Sequence, residues 1–162
     1  MSTDASSSAA VADASVARAL RVKGAVTAGA LITIPAPVDD IWPHIVAIDE
    51  WSSWYHSIKN SRSRARAIGV GTKFSFQTGP ASINATVDVL VAPSEFRFTG
   101  RSPGAIATYA FKLDGDGSAT EVAAAQSMGG LTARTMRPML QRVADKSVVT
   151  WLDALCERVT AA

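Results

Sequence analysis

The sequence is poor in the residues that most often carry chemistry. Its 162 residues include one cysteine, Cys156, and two histidines, His44 and His56. A single cysteine cannot form an internal disulfide, so folding does not depend on oxidation, which fits a cytoplasmic protein. The histidines are twelve residues apart, with no cysteine or acid at ligand spacing. We therefore expect no metal site and no cofactor.

Long apolar runs and excess charge are also absent. No run reaches the roughly 20 apolar residues of a membrane-spanning helix. The opening stretch "MSTDASSSAA" has neither the basic start nor the apolar centre of a signal peptide. Lysine and arginine number 16 against 14 acids, a net charge of +2. This charge is too small to indicate nucleic acid as the main partner.

The length and a hydrophobic content of 48% predict one domain with a real core. We predict a flexible tail rich in serine and alanine over residues 1–22, in which "ADASVARALRV" has the composition of a short helix. The single domain is predicted over residues 23–162.

The first elements of the domain are a strand and two short helices. "GALITIPAP" (29–37) is rich in β-branched residues and ends in prolines, which predicts a strand. From Val38 to Ile48, apolar residues recur at helical spacing, interrupted by Pro43. A second short helix is predicted over 49–57, with Asp49 as its N-cap.

After these helices, apolar residues recur at every second position, which predicts about six antiparallel strands. Such alternation indicates a sheet with one dry, buried face. "DGDG" (114–117) is the strongest hairpin signal. From Leu131 to Val159 the spacing predicts one long amphipathic helix on the dry face. Its apolar positions are Met136, Met139, Leu140, Val143, Trp151 and Leu155. The fold class is therefore α+β.

The order of these elements and several short motifs resemble the SRPBCC, or START-like, superfamily. The motifs are "ITIPAPVDDIW", "IDEWSSW", "GVGTKF" and "GDGSATEV". Among its subfamilies the chain looks closest to the bacterial polyketide cyclase/dehydrase and lipid transport group. The resemblance implies the helix-grip fold, β-α-α-β6-α, in which about seven curved strands wrap the long helix. It also implies an internal cavity for a lipid, polyketide or similar molecule.

The inward positions of the predicted strands include no Asp, Glu, Lys, Arg or His. General acid–base catalysis needs a titratable group near the substrate, so this face favours a binding cavity over a catalytic one. The alternative is that Met136, Met139 and Trp151 fill the space. The predicted ligand-binding residues are Trp54, Tyr55, His56, Phe74, Phe76, Val87, Phe96, Phe98, Tyr109, Phe111, Gln126, Met128, Met136, Leu140 and Val143.

Two other functions stay open. The first is a polyketide cyclase or dehydratase in which Tyr109, Gln126 and His56 orient and polarise a ketone. Many relatives carry histidine and glutamate where Tyr109 and Gln126 stand, so this chain lacks two of their ionisable groups. If the two side chains contact no ligand, we expect Tyr109 and Gln126 to hydrogen-bond each other or water. The second is a partner-binding protein like the co-chaperones of this fold, which would expose an apolar patch.

Two further features have competing interpretations. Trp51 and Trp54 of "IDEWSSWYHSI" are expected to anchor the short helices, whereas Tyr55 and His56 are expected at the rim of the cavity. The arginines at 62, 64 and 66 alternate on a predicted edge strand. Charge on an edge discourages aggregation, and the alternative is that this stripe binds an anionic partner.

Overall fold

A computed structural model describes residues 9–161 as one eight-stranded antiparallel sheet that curves around a long C-terminal helix. The strand order across the sheet is β1-β2-β8-β7-β6-β5-β4-β3. The strands are β1 Val11–Ala12, β2 Val26–Ile34, β3 Ile58–Ser63, β4 Lys73–Thr78, β5 Ala81–Val91, β6 Glu95–Ser102, β7 Ala105–Gly115 and β8 Thr120–Gly129. The predicted helix-grip α+β fold is confirmed, with eight strands instead of about seven.

The helices lie at the start of the chain, between β2 and β3, and at its end. They are α1 Ala14–Ala19, α2 Val38–Val46, a 3₁₀ turn Ile48–Glu50, α3 Trp51–Trp54, α4 Leu131–Thr135 and α5 Arg137–Thr160. Helix α5 packs mainly along β2 and β8. Its buried face consists of Ala144, Val148, Trp151, Leu152 and Leu155.

The predicted tail over residues 1–22 differs from the structure in its second half. Strand β1 pairs with β2, and α1 packs on the outer face of the sheet. Val16 and Ala17 of α1 are buried there against Ala110 and Ala125. The reason is that the outer face carries alanines at this place, so a short apolar helix finds a surface to cover. Residues 1–8 lie outside the described part of the chain.

The inward side chains predicted for β7 and β8 are buried or partly buried, but Ala110, Ala125 and Ser127 on the opposite face are buried as well. The alternation of β5 is broken midway. A bulge between Val87 and Val89 shifts the register with β6. Beyond it Leu90 pairs with Phe96 and packs against the core, whereas Val91 is 52% exposed. The sequence alternation over 83–91 predicts Val89 and Val91 on the inward side with Ile83, Ala85 and Val87. One extra residue reverses the two faces of a strand, so this prediction is wrong for Val89 and Val91.

The predicted single helix from Leu131 to Val159 is two helices that meet at Met136. The start of α5 is less buried than its periodicity indicates. Met136, Met139 and Val143 are 42%, 50% and 49% exposed. The helix is tied to β2 farther along by Gln141, whose amide donates to the Thr27 carbonyl at 2.7 Å.

The predicted helix over 49–57 is a 3₁₀ turn followed by a single helical turn. Asp49 is not its cap. A carboxylate oxygen of Asp49 accepts a hydrogen bond from the backbone N–H of Ser63 at 2.6 Å. The carboxylate therefore ties this connection to the end of β3.

Candidate ligand-binding site

Trp51 occupies the centre of the interior between the sheet and α5. It is fully buried, and its indole N–H donates to the Ile45 carbonyl at 3.1 Å. Its ring centroid lies 5.6 Å from that of Phe74, 5.6 Å from that of Phe98 and 5.2 Å from that of Trp151. The predicted anchoring role of Trp51 agrees with these contacts. Trp51 and Trp151 fill this part of the interior. Of the residues in the alternative of a filled interior, Trp151 is buried, whereas Met136 and Met139 are exposed.

Tyr109 lies beside this aromatic cluster, on β7. Its ring stacks on Phe98 with centroids 4.7 Å apart and planes inclined by 15°. Burial raises the pKa of the Tyr109 phenol above its ordinary value, and nearby Tyr55 raises it further. The phenol therefore stays neutral at physiological pH and keeps a proton that it can donate in a hydrogen bond.

Gln126 is the direct cross-strand partner of Tyr109, on β8. Its side chain is 2% exposed, and its carbonyl oxygen has no hydrogen-bond partner. A second buried polar atom without a partner is the indole nitrogen of Trp54. Buried polar groups are nearly always paired, so each of these atoms calls for a specific explanation.

Tyr55 connects the segment after α3 to the long helix. Its hydroxyl and that of Thr150 lie 3.0 Å apart in a hydrogen bond. The rings of Tyr55 and Trp151 are 4.5 Å apart. Tyr55 is thus buried inside the grip, deeper than the rim position expected for it.

The remaining predicted ligand-binding residues separate into three groups. Those buried in the interior are Trp54, Phe74, Phe76, Val87, Phe96, Phe98 and Phe111. Met128 and Leu140 are partly buried against the core. His56 is exposed, as are Met136 and Val143, so the structure does not place these three among the interior residues. For His56, the chain turns outward between α3 and β3. For Met136 and Val143, the start of α5 has no sheet beneath it on that side.

Ionisable groups are scarce in the interior. Across residues 9–161, the buried polar side chains other than the tyrosines are Ser61, Thr120, Gln126 and Ser127, and none is charged. In the same range no three His, Cys, Asp or Glu side chains cluster as a metal site would require. Burial raises the pKa of the half-buried Cys156 thiol, with Asp153 and Glu157 adding to the effect. A raised pKa makes this thiol a poor nucleophile at neutral pH.

Sequence reasoning did not find two surface grooves. One, of about 530 Å³, lies between the end of α2 and the loop after β3, with Trp42, Ile48, Leu90 and Arg66 in its lining. The other, of about 770 Å³, lies where Arg62, Arg64, Lys73 and Arg101 meet. The predicted arginine stripe is therefore divided, since β3 ends at Ser63 and Arg66 lines the first groove. Both grooves join segments far apart in the chain, which periodicity does not reveal.

The curved sheet, the gripped helix and the uncharged aromatic interior define a START-like helix-grip protein. Residues 12–159 match the family described as polyketide cyclase/dehydrase and lipid transport. The chain belongs to this family. No curated protein matches it in sequence.

Solved structures support the same fold at low sequence identity. The aromatase/cyclase ZhuI from Streptomyces sp. R1128 is similar with a TM-score of 0.72 and 13% identity, over 83% of this chain and 93% of that one. A START superfamily protein from Mycobacterium smegmatis has a TM-score of 0.69 and 12% identity, over 83% and 97%. A protein from Thermus thermophilus has a TM-score of 0.71 and 16% identity, over 83% and 97%.

Within residues 9–161, no helix combines the length and the hydrophobicity needed to cross a membrane.

Proposed function

We propose that this protein binds a hydrophobic or aromatic small molecule in the interior between the sheet and α5, next to Tyr109 and Gln126. The observation that carries the proposal is the buried carbonyl oxygen of Gln126, which lacks a partner in an uncharged interior. A ligand hydroxyl or N–H would satisfy it. The Tyr109 hydroxyl would in turn donate to a ligand carbonyl or hydroxyl. The aromatic rings would hold the apolar body of the ligand.

The mouth of the site is proposed at the start of α5. Ala107, Met128 and Leu140 are only partly buried there, although they pack against the core. Ala107 and Met128 are cross-strand partners two residues from Tyr109 and Gln126. Ala107, Met128 and Leu140 thus form a partly enclosed edge of the interior. Trp51, which also contacts Phe98, limits the space within the interior.

Binding is tested with the lipophilic dye Nile red and by native mass spectrometry of the purified protein. We expect saturable dye fluorescence with one site per chain, and displacement by a co-purified or added lipophilic compound. The Gln126→Met variant should bind the dye normally but lose affinity for ligands with a hydroxyl group. If neither Nile red fluorescence nor native mass spectrometry shows saturable binding of a lipophilic compound, the proposal is wrong.

A second candidate function is cyclisation or dehydration of a polyketide chain. The observation that favours it is the neutral phenol of Tyr109 beside Gln126, since a buried donor can polarise a ketone. Holding a flexible chain in a reactive fold can supply much of such a rate enhancement. His56 has no part in this mechanism because it is exposed. Turnover of a polyketide substrate that Tyr109→Phe leaves unchanged would count against it.

The cytoplasmic location, the lack of a cofactor and the lack of a nucleic-acid partner stay predictions.

A further inference from the structure

Large apolar side chains face solvent where α4 meets α5. Met136, Met139 and Val143 are 42%, 50% and 49% exposed, and Leu131 is 72% exposed. The first three are spaced by three and four residues, which places them on one side of a helix. Ala144, which faces the sheet, is fully buried. The apolar side chains therefore form a stripe that points away from the core.

Positive charge surrounds the stripe. The segment 131–146 contains four exposed cations, Arg134, Arg137, Arg142 and Lys146. Its one acid is Asp145, which accepts a hydrogen bond from the Gln141 amide at 3.0 Å. The segment thus carries a net charge of +3, whereas the whole chain carries +2 and the remainder −1. The exposed apolar stripe therefore lies within a segment of net positive charge.

The charge is unfavourable for the helix itself. The first turn of α5 has no acidic residue, and it contains Arg137. The N-terminus of a helix carries a partial positive charge, so a cation there opposes the helix dipole. Helix stability therefore does not explain the position of Arg137.

We propose that this surface, formed by Leu131, Met136, Met139 and Val143 with Arg134, Arg137, Arg142 and Lys146, docks the protein on an anionic lipid bilayer. We call it the α4–α5 surface. Apolar side chains flanked by lysine and arginine are the features by which helices bind anionic membrane interfaces. A stable protein partner usually covers about 800 Å² on each side, more than four partly exposed apolar side chains supply.

The α4–α5 surface adjoins Leu140, at the proposed mouth of the interior. Docking there would let a lipophilic ligand pass between bilayer and interior, a consequence that rests on the proposed function. Docking itself does not depend on it. Vesicle binding and dye binding are separate measurements, so failure of one is distinguishable from failure of the other.

The test is flotation of the full chain with vesicles of phosphatidylcholine containing about 30% phosphatidylglycerol, compared with pure phosphatidylcholine. We expect binding to the anionic vesicles that is weakened by salt. The double variant Arg142→Gln/Lys146→Gln should bind about 30-fold more weakly, since each cation near such a surface contributes about a factor of five. The double variant Met139→Ser/Val143→Ser should bind at least about tenfold more weakly.

Matched controls make the same kinds of change, cation to glutamine and apolar residue to serine, outside the α4–α5 surface. Arg64→Gln/Arg66→Gln removes two exposed cations from the segment after β3, outside α4 and α5, and Val70→Ser removes a valine that is 69% exposed. Both should bind vesicles like the unaltered protein, and thermal unfolding checks that every variant is folded. Equal binding to neutral and anionic vesicles, or no binding to either, overturns the proposal. So does self-association in light scattering that disappears in Met139→Ser/Val143→Ser without any vesicle binding.

Discussion

The indoles of Trp51 and Trp151 meet edge to face, with centroids 5.2 Å apart and planes at 90°. Trp51 belongs to the short helix α3 and Trp151 to the long helix α5, so this contact joins the connection before β3 to the gripped helix. It also fixes how much of the interior is left for a ligand, because both rings stand in the middle of it.

The first prediction concerns this contact. Trp51→Ala should lower the free energy of unfolding by about 3–5 kcal/mol, because it leaves a large cavity and removes several edge-to-face contacts. Trp51→Phe should cost less, since most of the ring contact survives. Urea denaturation measures both. A loss of under about 1 kcal/mol for Trp51→Ala would show that the indole is not a structural anchor.

The second prediction concerns the unpaired carbonyl of Gln126. Gln126→Met should raise the free energy of unfolding of the ligand-free protein by about 1–3 kcal/mol, because it removes a buried polar atom without a partner. The same change should weaken binding of hydroxyl-bearing ligands about fivefold to tenfold. The control is Gln77→Met on the exposed side of β4, which should leave ligand affinity unchanged. A destabilised Gln126→Met protein would mean that the amide is satisfied in solution.

The third prediction is a pH dependence caused by Tyr109. The pKa of its phenol is raised in the folded protein and is about 10 in the unfolded chain. Between these values the unfolded chain releases the proton and the folded protein keeps it. The contribution of Tyr109 to stability is therefore fully present below pH about 10 and is lost above it, by up to about 1.4 kcal/mol per pH unit.

In Tyr109→Phe, the free energy of unfolding should fall less steeply as the pH rises, as measured by urea denaturation at a series of alkaline pH values. The pKa of Cys156 is also raised, so its thiol contributes a loss of the same sign. The comparison is therefore made in a Cys156→Ser background. An equally steep decline with and without the Tyr109 hydroxyl would contradict the prediction.

The fourth prediction tests how α1 is held on the sheet. A side chain at Gly29 would meet the Asp13 carbonyl oxygen at 2.7 Å and the Val16 Cβ at 2.7 Å. Gly29→Ala should therefore displace α1 and lower the free energy of unfolding by about 1–3 kcal/mol. Hydrogen exchange of the Val22 amide, which bonds the Ala17 carbonyl, should speed up. Gly69→Ala is the control, since nothing lies within 4 Å of that position.

A related contact can be tested in the same way. The Arg97 guanidinium donates to the carbonyl oxygens of Leu20 and Arg21 at 2.9 Å and 3.0 Å, just after the end of α1. Arg97→Ala should release the same helix and speed exchange at Val22. Unchanged exchange in both Gly29→Ala and Arg97→Ala would show that α1 does not depend on these contacts.

The amino-acid sequence alone determined which side chains share a face wherever a strand is regular. Tyr109 and Gln126 were predicted to face inward from alternation alone, and they are buried cross-strand partners. The order of the elements was also readable, because each period and each turn is encoded locally. The family followed from that order together with the short motifs.

Only the tertiary structure decided what lies over each face. The bulge at Val87 moved Leu90 inward, and the alanines of the outer face gave α1 a place to pack. The buried face of α5 runs through Ala144, Val148 and Leu152, so Met139 and Val143, although at helical spacing, lie beside that face and stay exposed. Periodicity specifies the direction of a side chain relative to its own element. Burial depends on whether another element stands in that direction, and this is settled only when distant segments meet.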